Sequence, residues 1–514
     1  PPPVTIPPHT PPIKFMNTTL LAGNQLQISQ KTTYSYEVNT TGTDPYLFLM
    51  PLTASNHPDS VVFTFEYQCS AAISNFQIFF ASPTTEARSV KPGTIPAAES
   101  GWTTYSVDLS GQIKQFSWGN AGDFLRLDFG TQSGVTFQIR NIYIRGMNTA
   151  EKAAAAIREE LIKNDLLLES NLKKYLSTNY SSQITEVNVG ASTINIKGNY
   201  SGEGAFSLCE ITPYDQLTQI NKFTNTTPLS ISVFSNDMDR FVNRNGIRYD
   251  RVLSKWVIAK IGTQSDEIVS HAKYAGQIVP MQTMVAKRPA GKKGLGGYSV
   301  NRGYQSDLDD LNITSVTVNI TLTSFIYTQS RANTIAHIYG DKTYYFDQAQ
   351  VGELDRTMLA AYSRNIVVAA IILIQKASQC ADPEVGRLLQ HPDYTSEGIF
   401  TMPNLTNPES VNCYAAGLDF LASRYCRSDN SFGRIHHWIM HNEVDAGLDW
   451  TNMGDKPMMV YMDTYIKSMR MCYNIARNYD ENSEVLASLT HSWAAPVEPK
   501  YYSAKEMLKT LGDY

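Results

Sequence analysis

The run Ile366-Val-Val-Ala-Ala-Ile-Ile-Leu-Ile374 is apolar at all nine positions and constrains the fold more than any other segment. It is too short to cross a bilayer, which takes about 20 residues. It reads instead as a strand, and strands of this composition, alternating with helices, belong to parallel sheets buried on both faces. The surrounding pattern predicts five strands, over 294–300, 315–326, 366–374, 434–443 and 485–489. Helices are predicted over 306–311, 351–363, 408–425 and 457–478, and another starts near Ser503. Tyr414, Leu418, Leu421 and Tyr425 share one helix face, and Met462, Tyr465, Ile466, Met469 and Tyr473 form one stripe. This order implies a (β/α)8 barrel or a doubly wound sheet. No Gly-rich phosphate loop follows the first strand, which counts against the doubly wound nucleotide binders.

The first half of the chain has a different grammar. Residues 1–147 alternate in short runs such as Val61-Val-Phe-Thr-Phe-Glu-Tyr67, separated by Gly, Pro, Asn and Ser clusters, and predict a β-sandwich or jelly roll. Gly101–Leu109 and Phe124–Phe129 resemble closing strands of carbohydrate-binding jelly-roll modules. There Trp102 and Trp118 are candidate sugar-stacking platforms, with a core position as the alternative for each. Asn148 with Glu151 three residues on looks like a capping box that opens a helical connector over 148–182. Strand runs return over 183–262, the size of a small immunoglobulin-like sandwich, and the barrel is expected over 265–514.

Composition excludes more than it assigns. The 514 residues are too many for one domain, and a formal net charge of -5 without a basic tract argues against nucleic acid as a partner. Residues 1–8 carry neither a charged n-region nor an apolar h-region, so any signal peptide is expected to be gone already. The six cysteines form no CxxC pair. Cys413 and Cys426 lie roughly 20 Å apart along one predicted helix, too far for a disulfide. Asn-x-Ser/Thr triplets at Asn17, Asn39, Asn179, Asn199, Asn225, Asn312, Asn319 and Asn404 permit a secreted, extracellular or cell-surface protein, although Asn319 falls in a strand expected to be buried. Asp307, Asp309 and Asp310 are better explained by a helix N-terminus than by calcium.

Chemistry concentrates in Gly433-Arg-Ile-His-His-Trp-Ile-Met-His-Asn-Glu-Val-Asp-Ala-Gly447. Apolar residues run to the end of the fourth strand, which then presents an amide beside a carboxyl. In a barrel, the C-terminal strand ends carry function. A carboxyl at a partly apolar mouth suits a proton donor, and an amide suits a sugar hydroxyl. Trp438, Trp450 and Trp493 lie on or just beyond strands four and five, with His491 beside Trp493. A metal site is the chief rival, because His436, His437, His441 and Glu443 crowd one segment. On a strand, however, His437 and His441 are about 13 Å apart and cannot share an ion. A core or subunit-contact role suits His436 and His437 better, so neither metal nor cofactor is expected.

The wording of this segment, with Leu489-Thr-His-Ser-Trp493 downstream, resembles the clan-A glycoside hydrolases, retaining (β/α)8 enzymes. It is closest to a clan-A-like family of bacterial polysaccharide degraders formerly catalogued as a domain of unknown function. The likeness covers about 265–514. It implies that Glu443 is the acid/base, that Asn442 binds the 2-hydroxyl, and that His441, Trp450, His491 and Trp493 line the subsites for a polysaccharide or oligosaccharide. Trp438 either joins them as a substrate-binding residue or fills the barrel core. It also implies a nucleophile Glu at the end of strand seven, about 5 Å from the first carboxyl. With about five strands countable, the barrel is expected to be incomplete and that Glu to lie beyond Tyr514. Glu498 and Glu506 come too early in the order. Two alternatives remain: a glycan-binding or surface-structural protein with an enzyme-like barrel, and a metal-dependent hydrolase using His441 and Glu443.

Overall fold

The computed structural model describes residues 13–16, 19–49, 59–302, 305–396, 398–496, 498 and 500–514. Residues 1–8 and the triplet at Asn17 lie outside them. The chain divides into two compact units, Pro1–Leu161 and Ile162–Tyr514, with the division falling inside the helix Thr149–Ser177. That helix starts as its sequence predicts. The Asn148 side chain accepts from the Glu151 N–H, and the Glu151 carboxylate accepts from the Asn148 N–H, both at 2.8 Å.

The first unit is a sandwich of two antiparallel sheets. One runs in the order Leu26–Thr32, Ser35–Thr40, Thr136–Gly146, Ser60–Cys69, Ala98–Asp108, with Ile13–Met16 also on Thr136–Gly146. The other runs Leu20–Asn24, Tyr46–Leu49, Phe124–Phe129, Ile73–Ala81, Ser89–Ile95. Period-two alternation places Val38, Phe63 and Phe137 from one sheet against Leu47, Leu125 and Phe80 from the other. Trp118 belongs to this core. It is 3% exposed, and its indole N–H donates to the Ala81 and Phe124 carbonyls at 3.1 and 3.2 Å, so it is no sugar platform. Trp102 is half-buried, with the Arg140 guanidinium 4.0 Å from its ring centroid.

In the second unit, two four-stranded sheets form the small sandwich. Their orders are Val233–Asp239, Thr193–Asn199, Gln183–Val189, Gln277–Ile278 and Thr226–Leu229, Phe206–Ile211, Lys255–Lys260, Glu267–Ile268. Ile196, Leu208 and Trp256 join one continuous core with Val318 and Ile372 of the parallel sheet. The sandwich is therefore built into the same compact unit.

The parallel sheet has five described strands in chain order: Gly294–Leu295, Ser315–Thr321, Val367–Leu373, His437–Met440 and Glu484–Leu486. The order contains no reversal, whereas a doubly wound sheet reverses at its switch point. Helices Gln348–Ser363, Pro408–Tyr425 and Met458–Tyr479 alternate with the strands, and their buried residues share the sheet's core. Three corrections to the sequence pattern follow from register. The run expected to be one strand over 315–326 ends at Thr321, turns through Leu322–Ser324, and gives Ile326–Tyr327 to a separate three-stranded sheet. The sheet is buried on both faces only along its third strand, where Val367, Ile371 and Leu373 are buried as well as Val368, Ala370 and Ile372. Val316, Val318, Ile320, Ala370, Ile372, Trp438 and Met440 are buried, while Thr317 and His437 are half-buried and Asn319 and Leu486 exposed. The fourth strand stops at Met440, so His441, Asn442 and Glu443 stand beyond the sheet.

Candidate active site

At the exit of the fourth strand the chain is held by its neighbours atom by atom. His441 is 1% exposed. Its Nδ1 lies 2.7 Å from the Ile372 carbonyl, which can only accept, so Nδ1 carries the proton. Nε2 then accepts from Ser468 Oγ at 3.1 Å, and that hydroxyl lies 2.9 Å from the Tyr414 hydroxyl. Burial pushes the imidazole down to about 4 against the opposing carbonyl, so the ring is neutral. His441 thus reaches the helix Met458–Tyr479 rather than an open cleft. It does not line a subsite as expected.

Asn442 and Glu443 are half-buried and share one partner. Ser488, just past the fifth strand, donates to Asn442 Oδ1 and accepts from the Glu443 N–H, both at 3.3 Å. The Ser488 carbonyl takes the Val444 N–H at 2.9 Å. Glu443 itself has φ of +39°, the left-handed region that L side chains avoid. Among the described residues of this unit, the other non-glycine positions with positive φ are all Asn or Asp. Such backbone costs about 1–3 kcal/mol and persists where the surroundings over-determine it. Here they do. Two residues on, the fully buried Asp445 accepts from the Thr490 N–H at 2.8 Å and the Thr490 hydroxyl at 2.5 Å, and its carbonyl takes the Tyr502 N–H.

The other expected residues scatter by depth. Trp450 ends the short helix Gly447–Trp450 and stacks on Phe400, with centroids 5.5 Å apart and planes at 11°. Trp493 is 56% exposed and His491 is exposed beside it, both on the loop that follows Thr490. Trp438 is 1% exposed, on the helix-packed side of the sheet, and is core rather than a subsite wall. The sequence gives no sign of Tyr501 and Asp449, and Glu498, set aside there as a nucleophile, lies near them. The Tyr501 hydroxyl donates a short hydrogen bond to the Asp449 carboxylate. Its ionisation is pushed up by burial first, then by the charges of Asp449, Glu498 and Glu443, which places Glu443 in the same electrostatic neighbourhood. An Asp two residues after Glu443 and a Ser just past the fifth strand mark the positions of Asp445 and Ser488 in the sequence, though not their partners.

Among the described residues, no three His, Cys, Asp or Glu side chains converge as metal ligands. None of their helices is long and apolar enough to cross a membrane. A cavity of about 300 Å³ elsewhere in the unit is lined by Tyr214, His391, Lys456 and Lys467, among others, and by none of the seven expected site residues.

Fold and site together define a β-sandwich unit followed by an α/β unit whose parallel strands point their C-terminal ends at a carboxylate-bearing turn. The family profile described as "Family of unknown function (DUF5722)" matches residues 285–514. No curated protein matches. Solved structures with similarity include a family 29 carbohydrate-binding module from Piromyces equi, 10% identical, covering 26% of this chain and 89% of that one, with TM-score 0.20. A family 11 carbohydrate-binding module from Clostridium thermocellum, in complex with a mixed-linked tetrasaccharide, is 17% identical, covers 25% and 89%, and has TM-score 0.18. The glycoside hydrolase domain of Endo-D from Streptococcus pneumoniae R6 is 10% identical, covers 49% of this chain and 36% of that one, and has TM-score 0.17. At these scores the likenesses carry neither fold nor function to this chain.

Proposed function

We propose that the second unit contributes to a (β/α)8 glycoside hydrolase that cleaves a polysaccharide or oligosaccharide outside the cell or at its surface, with Glu443 as acid/base. The four-part organisation read from the sequence, 1–147, 148–182, 183–262 and 265–514, belongs to the same proposal. The observation that carries it is the Asn442–Glu443 pair at the C-terminal exit of the fourth parallel strand, with Glu443 held at positive φ and both residues tied to Ser488. A backbone held in a strained conformation by its neighbours suits a residue that must present its carboxyl at one place. The in-order sheet suits closure into a barrel, whose active sites lie at this end.

In this account the Glu443 carboxyl protonates the glycosidic oxygen as the C–O bond breaks, then as carboxylate takes a proton from the water that releases the sugar. Asn442 bonds the hydroxyl next to the scissile bond, while Trp450, His491 and Trp493 flank the sugar rings. His441 orients the turn from below. In a retaining mechanism the nucleophile is a second carboxylate, about 5 Å from the first. Glu443→Gln tests the reading. It keeps shape and removes the transferable proton, so release of reducing ends from the polysaccharide substrate is expected to collapse.

A further inference from the structure

One sheet of the first unit carries aromatic groups on its water side. On Tyr46–Leu49, Phe124–Phe129 and Ile73–Ala81, the core takes Leu47, Leu49, Leu125, Leu127, Ile78 and Phe80. Alternation then sends the intervening residues outward. Register sets them in two rows, Leu21, Phe48, Arg126 and Phe79 in one and Tyr46, Asp128 and Gln77 in the other. Phe79 is covered, at 6% exposed, while Tyr46, Phe48 and Phe124 are half-buried. Tyr46 and Phe48 meet edge to face at 5.5 Å, and Phe48 meets Phe124 likewise at 5.8 Å. Leu21, at the rim, is 48% exposed.

Polar groups on this face are fixed in place. The Arg126 guanidinium lies 3.7 Å from the Tyr46 centroid and 4.6 Å from that of Phe79. It forks onto Asp128, Nε to Oδ1 at 2.7 Å and Nη2 to Oδ2 at 2.5 Å. The Gln77 amide donates to Ser89 Oγ at 2.7 Å and to Glu86 at 3.0 Å. Tyr46 lies flat across the strand beside it. A Cβ on Gly23 would stand 2.3 Å from its ring carbons, so glycine there leaves room for the ring.

We propose that this face is a binding site for a neutral polysaccharide, with sugar rings packing on Tyr46, Phe48 and Phe124 and hydroxyls bonding Arg126 and Asp128. Apolar surface set among fixed polar groups marks a recognition site. Charge decides between occupants. The two charged residues in the rows neutralise each other, so a strongly charged partner gains nothing, whereas hydroxyls use both the guanidinium donors and the carboxylate acceptors. A sugar ring offers apolar C–H faces and a hydroxyl rim in the same geometry. The site stands on the first unit alone and does not depend on Glu443.

Native affinity electrophoresis of the full chain tests it, in gels holding hydroxyethyl-cellulose, xylan, glucomannan or mixed-linkage β-glucan, with polygalacturonate as the acidic comparison. Retardation is expected in at least one neutral gel. Phe48→Ala should weaken it roughly tenfold or more, the scale for a central aromatic contact. Gly23→Ala, at an exposed position outside the core, should do the same by displacing Tyr46. Trp102→Ala, on the other sheet, should leave it intact. The proposal is overturned by retardation in no neutral gel, by retardation in polygalacturonate alone, or by Phe48→Ala and Gly23→Ala both migrating as the parent does. It also fails if Trp102→Ala alone abolishes binding. Hydrolysis by Glu443 is read separately, so either reading can fail without the other.

Discussion

Asp445 grips Thr490 with both carboxylate oxygens, taking the backbone N–H at 2.8 Å and the hydroxyl at 2.5 Å. This joins the turn after the fourth strand to the segment after the fifth, and Glu443 sits two residues from the joint. The position of the proposed proton donor is therefore set by a buried carboxylate that does no chemistry itself.

Removing that grip should cost stability. Asp445→Ala leaves two donors without their charged acceptor, in a residue that is 1% exposed. A loss of about 2–3 kcal/mol is expected from hydrogen bonds of this kind. Urea unfolding of the variant beside the parent measures it, and an unchanged midpoint would mean that the contact does not hold the turn.

Glu443 stores strain that another residue would not. Asparagine tolerates left-handed backbone, so Glu443→Asn should be as stable as the parent or more stable by about 0.5–1 kcal/mol, while losing activity. A fall in the thermal midpoint would show that the side chain contributes to the fold.

The fourth strand also begins at a constrained point. Gly433 has φ of +82°, and a Cβ there would lie 2.4 Å from the Met358 carbonyl carbon. Gly433→Ala should destabilise by about 2 kcal/mol or more, since backbone must move as well as strain. Soluble yield and unfolding midpoint both read this.

Acid should weaken the second unit through its histidines. Burial lowers His391 and His441 to about 4 and His436 to about 3. The unfolded chain, with ordinary values near 6.5, takes up these protons first as pH falls. The stability they lend is full above about pH 6.5 and drains toward pH 4, by about 1.4 kcal/mol per pH unit for each group inside its window. His441→Asn should flatten the slope of stability against pH by one proton. An unchanged slope would mean that His441 is not held neutral.

The strands and helices of the second unit were legible because their apolar spacing is strong. Pro408–Tyr425 was read to the residue, with Asn407 capping it and Pro408 opening it. The hairpin Thr334–Tyr339 and Lys342–Asp347 was missed, although Gly340 and Asp341, both with φ of 60°, form the turn that a Gly-Asp pair between alternating runs announces. The helix Pro383–Leu389 was missed despite Asp382 and Pro383 at its start. In the site, Glu443 and Asn442 stood out by their place after an apolar strand. Trp438 stays open between core and cleft in the sequence, because a strand residue's face depends on register that one sequence does not display. Ser488, Asp445 and Tyr501 act through contacts 45 to 52 residues away in sequence, which no local pattern encodes.

The most direct test is the rate of reducing-end release from a panel of neutral and acidic polysaccharides by purified protein that carries both catalytic carboxylates, parent against Glu443→Gln, with both shown folded by circular dichroism. The account predicts hydrolysis of at least one polysaccharide by the parent and a fall of roughly 10²–10⁴-fold in the variant, the scale of general acid–base catalysis. Equal rates for parent and variant, or a parent that cleaves none of the panel, would contradict it.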